Sequence, residues 1–377
     1  MLDLDFTEEQ DMLRDMVRGV CAQHAPLTTV RELEDDPDGV ARDLWDQLAE
    51  LGICGLTIPE EHGGSGMTLL DGVVVYEELG RALAPVPHFV SCVLSAGAIT
   101  AAGTAGQQAE YLPGIAAGER IVTPAWLEPG NGFSPRGVQL TATADGDEFV
   151  LAGTKLHVYF AQAADTLLVL ARTGEADDAI DLFLVPRDAP GVSLTQKMSI
   201  SSDTQYLVEF DDVRVPADAR LGDAGTGWTT WHDVMHDGAI LASAQAMGGT
   251  EYTLEITAEY SKDREQFDKP LAAFQSLAHY MADAKTELDG GKVLTYEAAW
   301  ARTTGRPANR LAPMAKLFTG KVYRDTTAMA QQIFGGVGFT VEYDVQLYFR
   351  RAKQLQLSWW DSRTCEDLVA TAVLDAA

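Results

Sequence analysis

Tyr260-Ser261-Lys262-Asp263-Arg264-Glu265-Gln266-Phe267-Asp268-Lys269-Pro270-Leu271 runs on to Phe274-Gln275-Ser276-Leu277-Ala278-His279-Tyr280-Met281-Ala282-Asp283-Ala284. A guanidinium is planar, permanently charged and offers paired N–H donors that suit phosphate oxygens. Arg264 therefore has two readings. It is a solvated helix end beside core aromatics, or a corner that holds an anion. A second run lies downstream: Gln332-Ile333-Phe334-Gly335-Gly336-Val337-Gly338-Phe339, then Glu342-Tyr343. Paired glycines let backbone approach a ligand with no side chain in the way. Alone, such a run is ordinarily a helix C-cap.

Helical periodicity surrounds both runs. Segments at roughly 227–262, 272–303, 308–334 and 344–373 predict a four-helix bundle. At the other end, Thr7-Glu8-Glu9-Gln10 reads as a capping box. Leu13, Met16, Val17 and Val20 follow at helical spacing, which predicts a helix over 7–24. Leu44, Leu48 and Leu51 mark a second helix stopping at Gly52, and Leu69 to Leu83 a third. Ser91–Ala102 and Gln107–Ala117 read as two more. Near Ile121 the pattern changes to short β-branched runs punctuated by Gly, Asp and Pro: 138–143, 149–151, 166–170, 181–185, 192–194 and 206–210. The expectation is an α+β chain: a helical domain over 1–120, a small β-barrel over 121–222 and the bundle over 223–377.

A chain of 377 residues can bury a substantial core. With 28 basic and 56 acidic residues its formal charge is −28, which repels nucleic acid and anionic lipid. An anionic ligand then needs a local cluster of positive charge or N–H groups. No apolar run is long enough to span a membrane. The acidic start, Met1-Leu2-Asp3-Leu4-Asp5, lacks a secretory pattern. Cys21, Cys54, Cys92 and Cys365 are far apart, which favours the cytoplasm. His232 and His236 have helical metal-pair spacing, but no third ligand is evident, so no metal is expected.

These motifs resemble the acyl-CoA dehydrogenase family. The first run is similar to its R-x-x-F-G followed by F-Q. The second is similar to its Q-x-x-G-G-x-G. Pro59-Glu60-Glu61-His62-Gly63-Gly64-Ser65-Gly66 resembles its glycine turn, and Phe210-Asp211-Asp212-Val213-Arg214-Val215-Pro216 the close of its middle domain. The resemblance implies FAD as cofactor, an acyl-CoA thioester as substrate and an electron-transferring flavoprotein as the usual acceptor. It implies that Arg264, Phe267, Leu271, Phe274, Gln275, Gln332, Gly335 and Gly336 serve the flavin of a neighbouring subunit. Asp268 stands where a glycine is usual.

The residues that the resemblance assigns to the chain's own flavin are altered. Leu127-Glu128-Pro129-Gly130-Asn131-Gly132-Phe133 compares with T-E-P-x-x-G-S, so Leu127 and Phe133 replace two hydroxyls while Gly132 remains. Lys155-Leu156-His157-Val158-Tyr159 compares with K-x-W-I-T, placing His157 and Tyr159 at the flavin ring. The family's chemistry needs a desolvated carboxylate to take the α-proton. Trp359 occupies the usual base position and Gly238 the alternative one. Asp237 beside it is a weak substitute, Asp233 one turn earlier could be recruited likewise, and Glu342 and Asp361 are lesser candidates.

The resemblance extends to the base-lacking partner subunit of heteromeric actinobacterial acyl-CoA dehydrogenases acting on steroid-type thioesters. It implies a second acyl-CoA dehydrogenase subunit as partner, with a homo-oligomer as the other arrangement. Two rivals stand beside it. One is the same scaffold with other chemistry, such as a flavin monooxygenase, cyclase or dehydratase. The other is a non-catalytic structural subunit.

Overall fold

The computed structural model describes residues 6–201 and 203–374. The acidic run Met1 to Asp5 lies outside them. Six helices come first: α1 (Glu8–His24), α2 (Leu27–Glu32), α3 (Arg42–Glu50), α4 (Leu69–Arg81), α5 (Ala96–Ala102) and α6 (Ala105–Ala116). A π-helical stretch, Phe89–Ser95, leads into α5. The Thr7 hydroxyl accepts from Gln10 N at 3.2 Å and the Gln10 side chain accepts from Thr7 N at 3.0 Å. That reciprocal pair starts α1 where the sequence placed it. Thr104 and Gln107 repeat it at α6.

Eight strands follow: β1 (Val122–Ala125), β2 (Thr141–Asp145), β3 (Glu148–Tyr159), β4 (Thr166–Arg172), β5 (Ile180–Pro186), β6 (Val192–Lys197), β7 (Gln205–Pro216) and β8 (Arg220–Leu221). They form one mixed sheet in the order β6-β7-β3-β2-β4-β5-β8, with β1 pairing parallel to β4. Leu151, Val158, Leu167, Val169, Phe183, Val185, Val208 and Phe210 fill its core. Strands β4 and β5 are buried on both faces, so they read as continuous apolar runs. The β3–β7 register shifts between Lys155 and Val158. His157 sits in that bulge with φ +55.

Helix returns with α7 (Gly227–Asp263), α8 (Gln275–Thr303), α9 (Leu311–Phe334), α10 (Val345–Leu357) and α11 (Ser362–Leu374). A small hairpin, β9 (Glu265–Gln266) and β10 (Lys269–Pro270), joins α7 to α8. The single helix expected over 344–373 is two helices, α10 and α11. Trp359 and Trp360 break it, both in the left-handed region with φ +54 and +73. No glycine or proline signals that break. Tertiary contacts impose it: Lys316 Nζ, fully buried, donates to the carbonyls of Leu355 (2.6 Å) and Trp360 (3.2 Å). Asp361 then caps α11 by accepting from Thr364 N at 2.8 Å.

The chain forms two compact units. A helical unit comprises the segments ending at Leu27, spanning Leu69–Ala84 and starting at Ala239. A sheet unit comprises Thr28–Thr68 and Pro85–Gly238. Within the helical unit α4 and α7 meet backbone to backbone. A Cβ on Gly80 would lie 2.0 Å from the Gln245 carbonyl oxygen, and one on Gly248 1.8 Å from that of Glu77. Glu77, nearby and buried, accepts from Tyr296 Oη at 2.5 Å, with Lys292 and Arg14 each 3.9 Å away. Desolvation still holds its carboxyl above the usual range.

In the sheet unit His88 is fully buried, and its Nε2 donates to the Ile53 carbonyl at 2.9 Å. Burial pushes the imidazole down to about 4. A depressed folded-state pKa means that the unfolded chain binds the proton first. Stability is therefore complete above about pH 6.5 and falls as the pH drops toward 4. Between pH 7 and pH 4 this ring accounts for about 3 kcal/mol of lost stability. His88→Gln keeps a donor for Ile53 and cannot titrate. Urea unfolding at the two pH values should show a loss smaller by about that amount in the variant. An equal loss in both proteins would overturn the assignment.

Candidate functional site

The motif residues assemble at two places, one in each unit. In the helical unit α7 ends at Asp263, and Arg264 N still donates to Tyr260 O at 2.9 Å. Arg264 O then accepts from Leu271 N at 2.8 Å, which closes the β9–β10 hairpin. Its two-residue turn is Phe267-Asp268, with φ +56 and +62. Paired positive φ angles match the twist of a tight hairpin. Asp tolerates that region better than most residues, which accounts for Asp268 where a glycine is usual.

Arg264 is exposed, and its side chain makes no hydrogen bond or ion pair among the described residues. The neighbouring cations are engaged: Lys262 pairs with Glu259 at 2.5 Å, and Lys269 Nζ lies 4.2 Å from the Phe274 ring centroid. Phe267 is 86% exposed and meets Phe274 edge-on at 6.2 Å. Leu271 and Phe274 are half-buried, and Gln275 is exposed as the first residue of α8.

The glycine run is brought to the same corner by aromatic packing. Tyr260 stacks on Phe334 at 4.1 Å and 12°, and Tyr343 meets both rings edge-on. Tyr260 lies one turn before Arg264, and Phe334 precedes Gly335-Gly336. The two runs, 74 positions apart in the chain from Tyr260 to Phe334, are thereby joined. Gly335 has φ +67 and ψ −143, a conformation open to glycine. A Cβ on Gly335 or on Gly336 would meet nothing within 4 Å, so their backbone is approachable. Gln332 is exposed. Its neighbour Gln331, absent from the sequence-derived candidates, is buried, and both its amide atoms lack a hydrogen-bond partner. A Cβ on Gly338 would lie 2.7 Å from Gln331 Oε1, so this orphaned amide sits under the glycine run. Only its place in the fold reveals it. An unpaired guanidinium, open glycine backbone and an unsatisfied amide are a donor set that fits a diphosphate-bearing cofactor.

The second place is on the sheet. Leu127 O accepts from Leu156 N at 2.8 Å, which sets the 127–133 loop beside the β3 bulge. Glu128 is the anchor of that loop. It accepts from Gln139 N and Leu140 N at 2.9 Å and from Lys155 Nζ at 2.7 Å. Lys155 is fully buried, and desolvation pulls it down to about 8 against the raising effect of Glu128. The surviving glutamate and lysine of the motif are therefore a buried structural pair. Gly132 is exposed, and a Cβ there would meet nothing within 4 Å. His157 is exposed, and Tyr159 is buried with its carbonyl accepting from Thr123 Oγ1 at 2.6 Å.

Trp359 and Gly238, the two positions named for a base, carry no carboxylate. Trp359 is buried at the α10–α11 break. A Cβ on Gly238 would lie 2.7 Å from Leu94 Cδ2 and 3.5 Å from Phe89 Cζ, so a side chain there would have to displace Leu94. Asp361 is a helix cap. Glu342 is fully exposed, and its hydrogen bond from Thr340 and its own backbone contact keep it below the usual range, so it is no desolvated base. Asp233 is exposed and Asp237 half-buried. His232 and His236 meet edge-on at 4.9 Å, and burial pushes His232 down to about 4. Among the described residues no three metal-ligating side chains gather.

Models of the acyl-CoA dehydrogenase N-terminal, middle and C-terminal domains match residues 7–119, 124–213 and 225–358. The chain is similar to the short-chain specific acyl-CoA dehydrogenase of Megasphaera elsdenii, 33% identical over 368 residues, 94% of this chain and 95% of that protein. It is similar to the solved ChsE4-ChsE5 complex from Mycobacterium tuberculosis, with TM-score 0.90 and 28% identity over 99% of both chains. A variant of the Tcur3481-Tcur3483 steroid ACAD gives TM-score 0.88 and 31% identity over 98% of both.

Two outcomes follow from the packing. Glu128→Gln leaves the Lys155 ammonium buried without its counter-charge, at a cost of about 3–5 kcal/mol at pH 7. The folded-state lysine pKa is depressed, so the deficit should shrink as the pH rises toward 10 and the amine sheds its proton. A deficit constant with pH in denaturant titrations would refute the pairing. Gly238→Glu should lower stability by about 1–3 kcal/mol through overpacking against Leu94. A melting temperature equal to wild type would show that Leu94 yields.

Proposed function

This chain belongs to the acyl-CoA dehydrogenase family, and from that premise we propose that it serves α,β-dehydrogenation of an acyl-CoA thioester as one subunit of a hetero-oligomer. Members of the family are FAD flavoproteins. In this reading the helical corner completes a flavin site whose larger part belongs to the partner, a second acyl-CoA dehydrogenase subunit. The observation that carries it is Arg264: a guanidinium held by backbone bonds on both sides, exposed, and with no partner of its own among the described residues.

Each residue of the corner has a distinct part. Arg264 binds the diphosphate through paired N–H donors. Gly335 and Gly336 let the loop come close. Gln275 and Gln332 offer amides, and Phe267, Leu271 and Phe274 give apolar cover. Bound FAD supplies the acceptor for the hydride that leaves the β-carbon. The carboxylate that takes the α-proton comes from the partner, because Trp359 and Gly238 offer none. On the sheet, Leu127, Gly132, His157 and Tyr159 form a reduced counterpart of the flavin face. Support for a heteromer also comes from the likeness to ChsE4-ChsE5, itself a complex of two chains. The reading includes a cytoplasmic setting and an electron-transferring flavoprotein as acceptor. The formal charge of −28 leaves nucleic acid and anionic membranes as poor partners.

Arg264→Ala tests the reading in the purified complex. Losing charge-assisted bonds to phosphate costs about 1.5–3 kcal/mol, so flavin should bind roughly 10–150-fold more weakly. Unchanged flavin affinity would overturn the role of Arg264. Full flavin occupancy and turnover by the chain alone would overturn the heteromer.

A further inference from the structure

The bulge on β3 carries a hydrogen-bonded chain that the function above leaves unused. His157 Nδ1 lies 2.7 Å from Gln205 Oε1, Gln205 Nε2 lies 3.1 Å from Asp203 Oδ1, and Ser199 Oγ and Ser201 Oγ each lie 2.6 Å from the same carboxylate oxygen. The direction of this chain is fixed by chemistry. An ionised carboxylate only accepts, so the atom of Gln205 that faces Asp203 is the amide nitrogen. The atom that faces His157 is then the amide oxygen, which also only accepts. Nδ1 of His157 must therefore carry the hydrogen.

In the neutral ring this leaves the lone pair on Nε2. Gln205 is buried, so its amide is held in place, whereas His157 is exposed. Nε2 makes no hydrogen bond among the described residues. The positive φ of +55 at His157 is a further cost of presenting the ring here, since left-handed backbone is uncommon outside glycine.

From this geometry we infer that His157 is a tautomer-locked hydrogen-bond acceptor, positioned by Gln205 and Asp203, that takes an N–H donor of a flavin ring at the sheet face. This rests on the family reading of that face as a flavin face. It differs from a stacking role, for which any flat ring would serve. An acceptor at this point selects a ligand edge that donates and disfavours one that only accepts. Gln205 and Asp203 are positioning residues; His157 is the one that meets the ligand.

The test is imidazole nitrogen NMR on the full chain labelled at histidine, with His157→Asn used to assign its signal among the seven histidines. The expected spectrum of the neutral ring, recorded at a pH where the imidazole signals no longer change, shows protonated Nδ1 and unprotonated Nε2 for His157. Gln205→Leu should convert it to the opposite tautomer, while the thermal melt controls for folding. Added FAD, oxidised or reduced with dithionite, should shift the Nε2 signal, and should still do so in an Arg264→Ala background. A protonated Nε2 in the neutral ring of the unmodified chain overturns the lock. The expected tautomer with no response to either form of FAD overturns the ligand assignment. Neither result bears on the trans role of Arg264, which is read separately from flavin affinity in the complex.

Discussion

The face-to-face contact of Tyr260 with Phe334 is the constraint on which the helical corner depends. It joins the last turns of α7 and α9, and so brings a cation and a bare stretch of backbone together across 74 positions of chain. Without it, Arg264 and Gly335-Gly336 would be two unrelated helix ends. With it, they are one surface that offers N–H groups and positive charge in a protein of strongly negative charge. Such a protein has little long-range attraction for an anionic cofactor, so affinity must come from a few donors at close range.

The two places where motif residues gather differ in character. The helical corner is exposed and incomplete: Phe267 stands in solvent, and Arg264 and Gln331 have unsatisfied donors. The sheet face is self-satisfied. Glu128 and Lys155 answer each other, and His157 is fastened through Gln205 to Asp203. Glu128 and Lys155, already paired, have little to gain from a ligand, whereas the open His157 Nε2 and the orphaned donors of the corner have much.

The packing around Gly238 and around Trp359 differs in kind. Gly238 faces Leu94, whose methyl group occupies the space a side chain would need. Trp359 sits at a helix break held by a buried lysine, and two bulky residues there accept left-handed backbone. Strain of that kind persists where surrounding contacts over-determine the conformation. The Lys316 ammonium over two carbonyls is such a contact.

Much was legible in the chain alone. Thr7 and Gln10 marked the start of α1, and the apolar runs at 166–170 and 181–185 marked buried strands. These signals are local: capping, periodicity and backbone freedom act over a few residues, so the sequence states them directly. The direction of the Gln205 amide, the backbone contact of Gly80 with Gly248's helix, the break at Trp359-Trp360 and the orphaned Gln331 were decided only by tertiary structure. Each depends on atoms far apart in the chain, whose meeting no window of sequence contains.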